Sequence, residues 1–142
     1  MLCINNYAQK YIDNCRKKIN VQLSAYKKLV ATARKHNATL LNAAIDSFEP
    51  VFFNNMVLIL DSYFTHRSRT IEGKDGNPLN EVRVLCNSML HNNNTMSADK
   101  TIKLVPEKSV LKYKVGDVIK LSKADFSRLS KAFFAEGESK YL

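Results

Sequence analysis

The segment VFFNNMVLILDSYF, residues 51–64, is apolar almost all the way round a helix. A helix without a polar face is stable only when neighbours cover most of its sides, so this segment predicts the centre of a core ringed by other helices. Asn54, Asn55 and Asp61 interrupt it. A buried polar group with no partner costs on the order of 2–7 kcal/mol, and each interruption therefore calls for one. For Asp61 the nearest cations in sequence are His66, Arg67 and, from the following helix, Arg83.

The rest of the chain supplies helices to surround that segment. Ile4, Ala8, Tyr11, Cys15, Ile19, Leu23, Tyr26 and Val30 recur every three or four positions, which predicts an amphipathic helix over about 4–35. A second helix is expected over about 39–48. Pro50 cannot donate a backbone hydrogen bond, so the reading breaks or kinks the chain there and starts the core helix at about 50–65. Asn77 and Pro78 have the chemistry of a helix start, and Leu79, Val82, Leu85, Cys86 and Met89 form the stripe of a helix over about 78–91. Residues 101–121 raise strand propensity with Ile102, Val110, Val118 and Ile119, which predicts a small antiparallel hairpin. Ser122 and Asp125 have capping-box spacing and open a last helix over about 123–138, with Gly137 expected to fray its end. The expected fold is mainly α. It is a single domain over 1–142, a bundle of four to five helices with a β-hairpin before the C-terminal helix.

Charge narrows the choice of partner. The chain carries 22 Lys+Arg against 13 Asp+Glu, a formal net charge of +9, which favours acidic partners such as nucleic acid, nucleotides or phosphorylated small molecules. Residues 4–35 hold Lys10, Arg16, Lys17, Lys18, Lys27, Lys28, Arg34 and Lys35 against Asp13 alone. That is either a binding face or only a solvated one. Cys3, Cys15 and Cys86 are odd in number and lack a C-x-x-C spacing, so they predict reduced thiols and no metal site. No apolar run approaches the roughly 20 residues of a membrane span, and the expectation is a cytoplasmic protein with no membrane partner and no cofactor.

The polar stretch HRSRTIEGKDGNPLNEVR, residues 66–83, is the most site-like part of the sequence. Gly73 and Gly76 permit a positive φ, and Asn77 opens a helix whose free N–H groups and dipole favour an anion. His66, Arg67, Arg69, Lys74, Asn77 and Arg83 are the candidate ligand-binding residues, Arg in bidentate fashion, with Asp61 and Asn54 as structural support. The spacing lacks the frame of a phosphate-binding P-loop, and turn chemistry explains the glycines equally well. A buried ion pair that sets helix register explains Asp61 equally well. Glu72 and Asp75 read as solvated loop carboxylates.

The order of LDSYFTHRSR, EGKDGNPLNEVRVLCNS and ADKTIKL, over about residues 48–135, resembles a family of small uncharacterised bacterial proteins. The resemblance implies a bacterial, phage or plasmid source and a cytosolic setting, and it brings no activity, cofactor or catalytic residue. Three functional expectations remain open. One is a ligand- or partner-binding protein with an anion-accepting site for phosphate, nucleotide or carboxylate at residues 61–83. Another is a small hydrolase or transferase using His66 with Asp61 or Glu72. The third is nonspecific nucleic-acid binding through the first helix.

Overall fold

The computed structural model describes residues 2–142 and contains five helices. Helix α1 (Gln9–Arg34) and helix α2 (Thr39–Ser62) form a long antiparallel pair. The single turn α3 (Arg69–Glu72) leads to α4 (Pro78–His91) and, after an irregular stretch with one 3₁₀ turn at Pro106–Lys108, to α5 (Lys123–Tyr141). Helices α4 and α5 pack on the C-terminal half of α2. Phe53, Met56, Val57 and Leu60 of α2 are buried there with Val82 and Leu85 of α4 and Phe126, Leu129 and Phe133 of α5. Segment 51–64 thus supplies the core centre that its composition demands.

The expected break at Pro50 does not occur, and residues 39–62 form one helix. A helix-interior proline costs about 3 kcal/mol, because it removes one hydrogen bond and crowds the preceding turn. Contacts to α1 on both sides of it offset that loss. Tyr26 stacks on Phe52 and meets Phe53 edge-on, its hydroxyl donates to Glu49 at 2.7 Å, and Arg34 pairs with Asp46 at 2.9 Å. The reversal between α1 and α2 uses Asn37 at φ 46, a left-handed conformation that asparagine tolerates.

The expected hairpin over 101–121 is absent, and no β-strand is present among the described residues. Its backbone groups are taken by side chains from elsewhere, which removes the donors and acceptors a ladder would use. Glu81 accepts from the N–H groups of Val110 and Leu111 at 2.8 and 2.9 Å, and the Tyr113 hydroxyl accepts from Lys120 N–H. Asn54 accepts from Leu121 N–H and donates to Ile119 O. Only a single bridge, Thr95 to Val118, has strand-like pairing here. Strand propensity was real in this stretch, but it reports a half-buried extended chain rather than a sheet.

At the C-terminus α5 runs through Gly137 to Tyr141 instead of fraying. Tyr141 is fully buried, its hydroxyl donates to Ser68 O at 2.7 Å, and its carbonyl accepts from Tyr7 N–H at 2.8 Å. The Ser122–Asp125 capping box expected at the other end of α5 is present. Two glycines give opposite expectations. Gly76 has φ +88 and a side chain would run into the Lys103 backbone carbonyl, so Gly76→Ala lowers stability by at least about 1–2 kcal/mol. Gly137 is helical with open space around it, so Gly137→Ala raises stability by about 0.5–1 kcal/mol. Urea unfolding of the two variants against the parent chain measures both.

Candidate functional site

The polar junction between α2 and α4 is organised by a carboxylate that reads as a loop residue in the sequence. Ser68 accepts from Ile71 N–H and caps the single turn of α3, which points Glu72 into the protein. Glu72 is 0% exposed. Its Oε1 accepts from Arg67 Nε at 2.7 Å and Arg83 Nη2 at 2.6 Å, and its Oε2 accepts from Asn80 Nδ2 at 2.7 Å and Arg83 Nε at 3.1 Å. Arg83 therefore grips it with a two-pronged fork, the geometry for which a guanidinium is suited. The expectation of a solvated Glu72 is corrected by this enclosure.

Arg67 is 3% exposed and its donors are spent inside the protein. Beyond Glu72 it donates to Asp61 at 2.9 Å, to Phe64 O at 3.1 Å and to Leu79 O at 3.3 Å, and its guanidinium lies 5.5 Å from the centre of the Phe133 ring. Of the three partners foreseen for Asp61, Arg67 is the one that meets it. Two guanidiniums and two carboxylates leave the cluster neutral. The buried space beside it, between Tyr7, Arg67, Phe133 and Tyr141, is about 10 Å³, room for one water at most.

The start of α4 is equally occupied. Asn77 Oδ1 accepts from Leu79 and Asn80 N–H at 2.9 and 3.2 Å, while its Nδ2 donates to Glu72 O and Asp75. Gly76 N–H donates to Asn80 Oδ1 at 2.9 Å. The amides that would receive an anion are those that Asn77 and Asn80 already satisfy. Both loop glycines do take positive φ, at 80° for Gly73 and 88° for Gly76.

The candidate residues thus divide. Arg67, Arg83, Asn77 and Asp61 are brought together with Glu72 and Asn80. His66, Arg69 and Lys74 stay exposed, with no ion pair among the described residues. The cleft that His66 lines, between the N-terminal segment and the end of α2, holds Asn6, Tyr7, Tyr11 and Tyr63 and no cation. Asn54 lies elsewhere, holding residues 119–121. Cys86 is buried and its thiol is pushed well up by burial, the state of an inert core cysteine. Asn80 was missed from sequence, and Glu72 was named there only as a solvated carboxylate or an acid–base partner of His66. The available signal was charge balance, since Arg67 and Arg83 together outnumber Asp61 as a counter-charge.

The groups differ in how they respond to pH. Burial alone would raise Glu72, but the hydrogen bond and charge of Arg83 and the charge of Arg67 outweigh it and hold the carboxyl below its ordinary 4.5. Because the folded value is depressed, its stabilisation is complete above about pH 4.5 and is lost as pH falls through the folded value. Glu81 has the opposite sign. Burial raises it despite the two backbone N–H bonds, so its ionisation in the fold works against stability as pH rises. Removing Glu72 leaves two guanidiniums short of a counter-charge, and Glu72→Gln is expected to cost about 3–5 kcal/mol at pH 7 in urea unfolding. Between the parent and the variant, the stability gap should narrow as pH falls below about 4.5; a gap that does not change with pH would assign the loss to packing instead. No protein-family model, curated protein or solved structure matches this chain.

Proposed function

We propose that the protein binds polyanions, with nucleic-acid phosphates as the fitting class, through the outward face of α1. The carrying observation is a stripe of uncommitted lysines. Lys10, Lys17, Lys28 and Lys35 are spaced 7, 11 and 7 residues apart, close to whole numbers of helical turns, and all are exposed. They sit about half a turn from Tyr26, which faces α2, so the stripe points away from the rest of the protein. The ion pairs that α1 makes use Arg16 and Arg34, and none uses these lysines. At about 1.5 Å per residue the stripe is about 38 Å long, comparable with the ~34–36 Å of one duplex turn.

This reading is favoured over a small-anion site at residues 61–83 because Arg67 and Arg83 are bonded to Glu72, which leaves Arg69 and Lys74 as the free cations of that group. It is favoured over acid–base catalysis by His66 because Glu72 is enclosed and Asp61 is held by Arg67. Tyr7 and Tyr26 pack inward, and Tyr11 is stacked on Tyr7 with its hydroxyl donating to Tyr63 O, so in this reading no tyrosine serves as a base-stacking platform and recognition is of backbone charge rather than sequence.

Fluorescence anisotropy with a labelled duplex should show binding in the roughly 10⁻⁴–10⁻⁶ M range that weakens steeply with salt. A Lys17→Glu, Lys28→Glu double variant should flatten the slope of log K against log salt by about 2, since each phosphate contact contributes about 0.9. An unchanged slope, or no binding by the parent chain at low salt, removes the proposal.

A further inference from the structure

Half of the α1–α2 pair projects beyond the core as a two-helix layer. No residue of α1 after Tyr26 and none of α2 before Phe53 is buried, although α2 is long and apolar enough by composition to cross a membrane. Only 22% of its most apolar stretch is buried. Leu40 is 87% exposed, Val51 59% and Phe48 47%. An apolar helix needs a second layer, and the core supplies one only from Phe53 onward.

The exposed side of α2 is a seam. Leu41, Ala44, Phe48, Val51, Asn55 and Leu58 follow at intervals of 3, 4, 3, 4 and 3, the spacing of a coiled-coil face. That order reads the same in both directions. We propose that this face binds a second copy of the chain, antiparallel, about a two-fold axis passing between Glu49 and Pro50. The operation sets Phe48 against Val51, Leu41 against Leu58 and Ala44 against Asn55, and the two α1–α2 pairs complete a four-helix bundle.

Charge and area both favour this occupant. No lysine or arginine lies anywhere on α2, so the seam offers nothing to an acidic helix. Nor does α2 carry a cation to hold the headgroups of an anionic lipid surface. Beyond Val51 the seam opens into a groove of about 710 Å³ that includes Asp46 at one end and Lys120 near Asn54 at the other. The exposed parts of Leu40, Leu41, Phe48, Val51 and Val118 amount to on the order of 500 Å². With the small and polar residues between them, that approaches the ~800 Å² per partner of a stable interface.

Sedimentation velocity of the full chain across micromolar concentrations should give a species of twice the 16.2 kDa chain mass. Phe48→Glu and Val51→Glu should each give a monomer with unchanged far-ultraviolet circular dichroism. A monomer at every concentration or a dimer that survives both glutamate variants overturns the proposal. So does binding of the monomer to phosphatidylserine-containing vesicles in a way that Phe48→Glu abolishes.

Discussion

Glu72 is the carboxylate on which the junction of the fold depends. Taking it out of water is unfavourable, and it stays ionised because Arg83 and Arg67 supply two charges and three short N–H bonds, with Asn80 supplying a fourth. Those partners tie Glu72 to several parts of the chain. Arg67 follows α2 and its backbone pairs with Ile4, Arg83 and Asn80 belong to α4, and Lys140 of α5 donates to the Glu72 carbonyl at 2.7 Å. Apolar replacement of a group of this kind is often neutral or stabilising, but the ion-paired group fits in one arrangement only. It therefore sets how α3, α4 and the N-terminal segment meet.

Stability is consequently uneven along the molecule. The end holding Glu72 is closed by aromatic packing, with Phe64 and Phe133 against each other and Tyr7 edge-on to Phe64 and Tyr141. The opposite end, where α1 and α2 reverse, is a two-helix projection with little burial. Surfaces that meet other molecules are more readily found at such an end, because its side chains are not committed to the fold. The lysines lie on the face of α1 turned away from α2 and the apolar seam lies on α2, so a polyanion and a second copy would meet different helices.

Much of the helical architecture was legible from local pattern. The Asn77–Pro78 start of α4 and the Ser122–Asp125 box of α5 depend on residues within a turn or two of each other, and each is where the spacing puts it, whereas the α1 stripe holds only from Gln9, because Ile4, expected inside that helix, is extended and pairs with Arg67. The errors share a cause. Pro50 was read as a break because its local penalty is visible in sequence, whereas the Tyr26 and Arg34 contacts that offset it come from another helix. Residues 101–121 were read as a hairpin because Glu81 and Asn54, which take their backbone groups, are 29 or more residues away.

The site divides in the same way. Residue type and spacing alone determined that the chain is mainly helical, strongly basic along its first helix, and in need of a counter-charge for Asp61. Which arginine would meet Asp61, that Glu72 would be enclosed rather than solvated, and that Arg67 and Arg83 would have few donors left for a ligand were decided by tertiary structure. The physical reason is the range of the interactions. Helix periodicity and capping act within about four residues, while the desolvation of a carboxylate depends on which distant segments close over it.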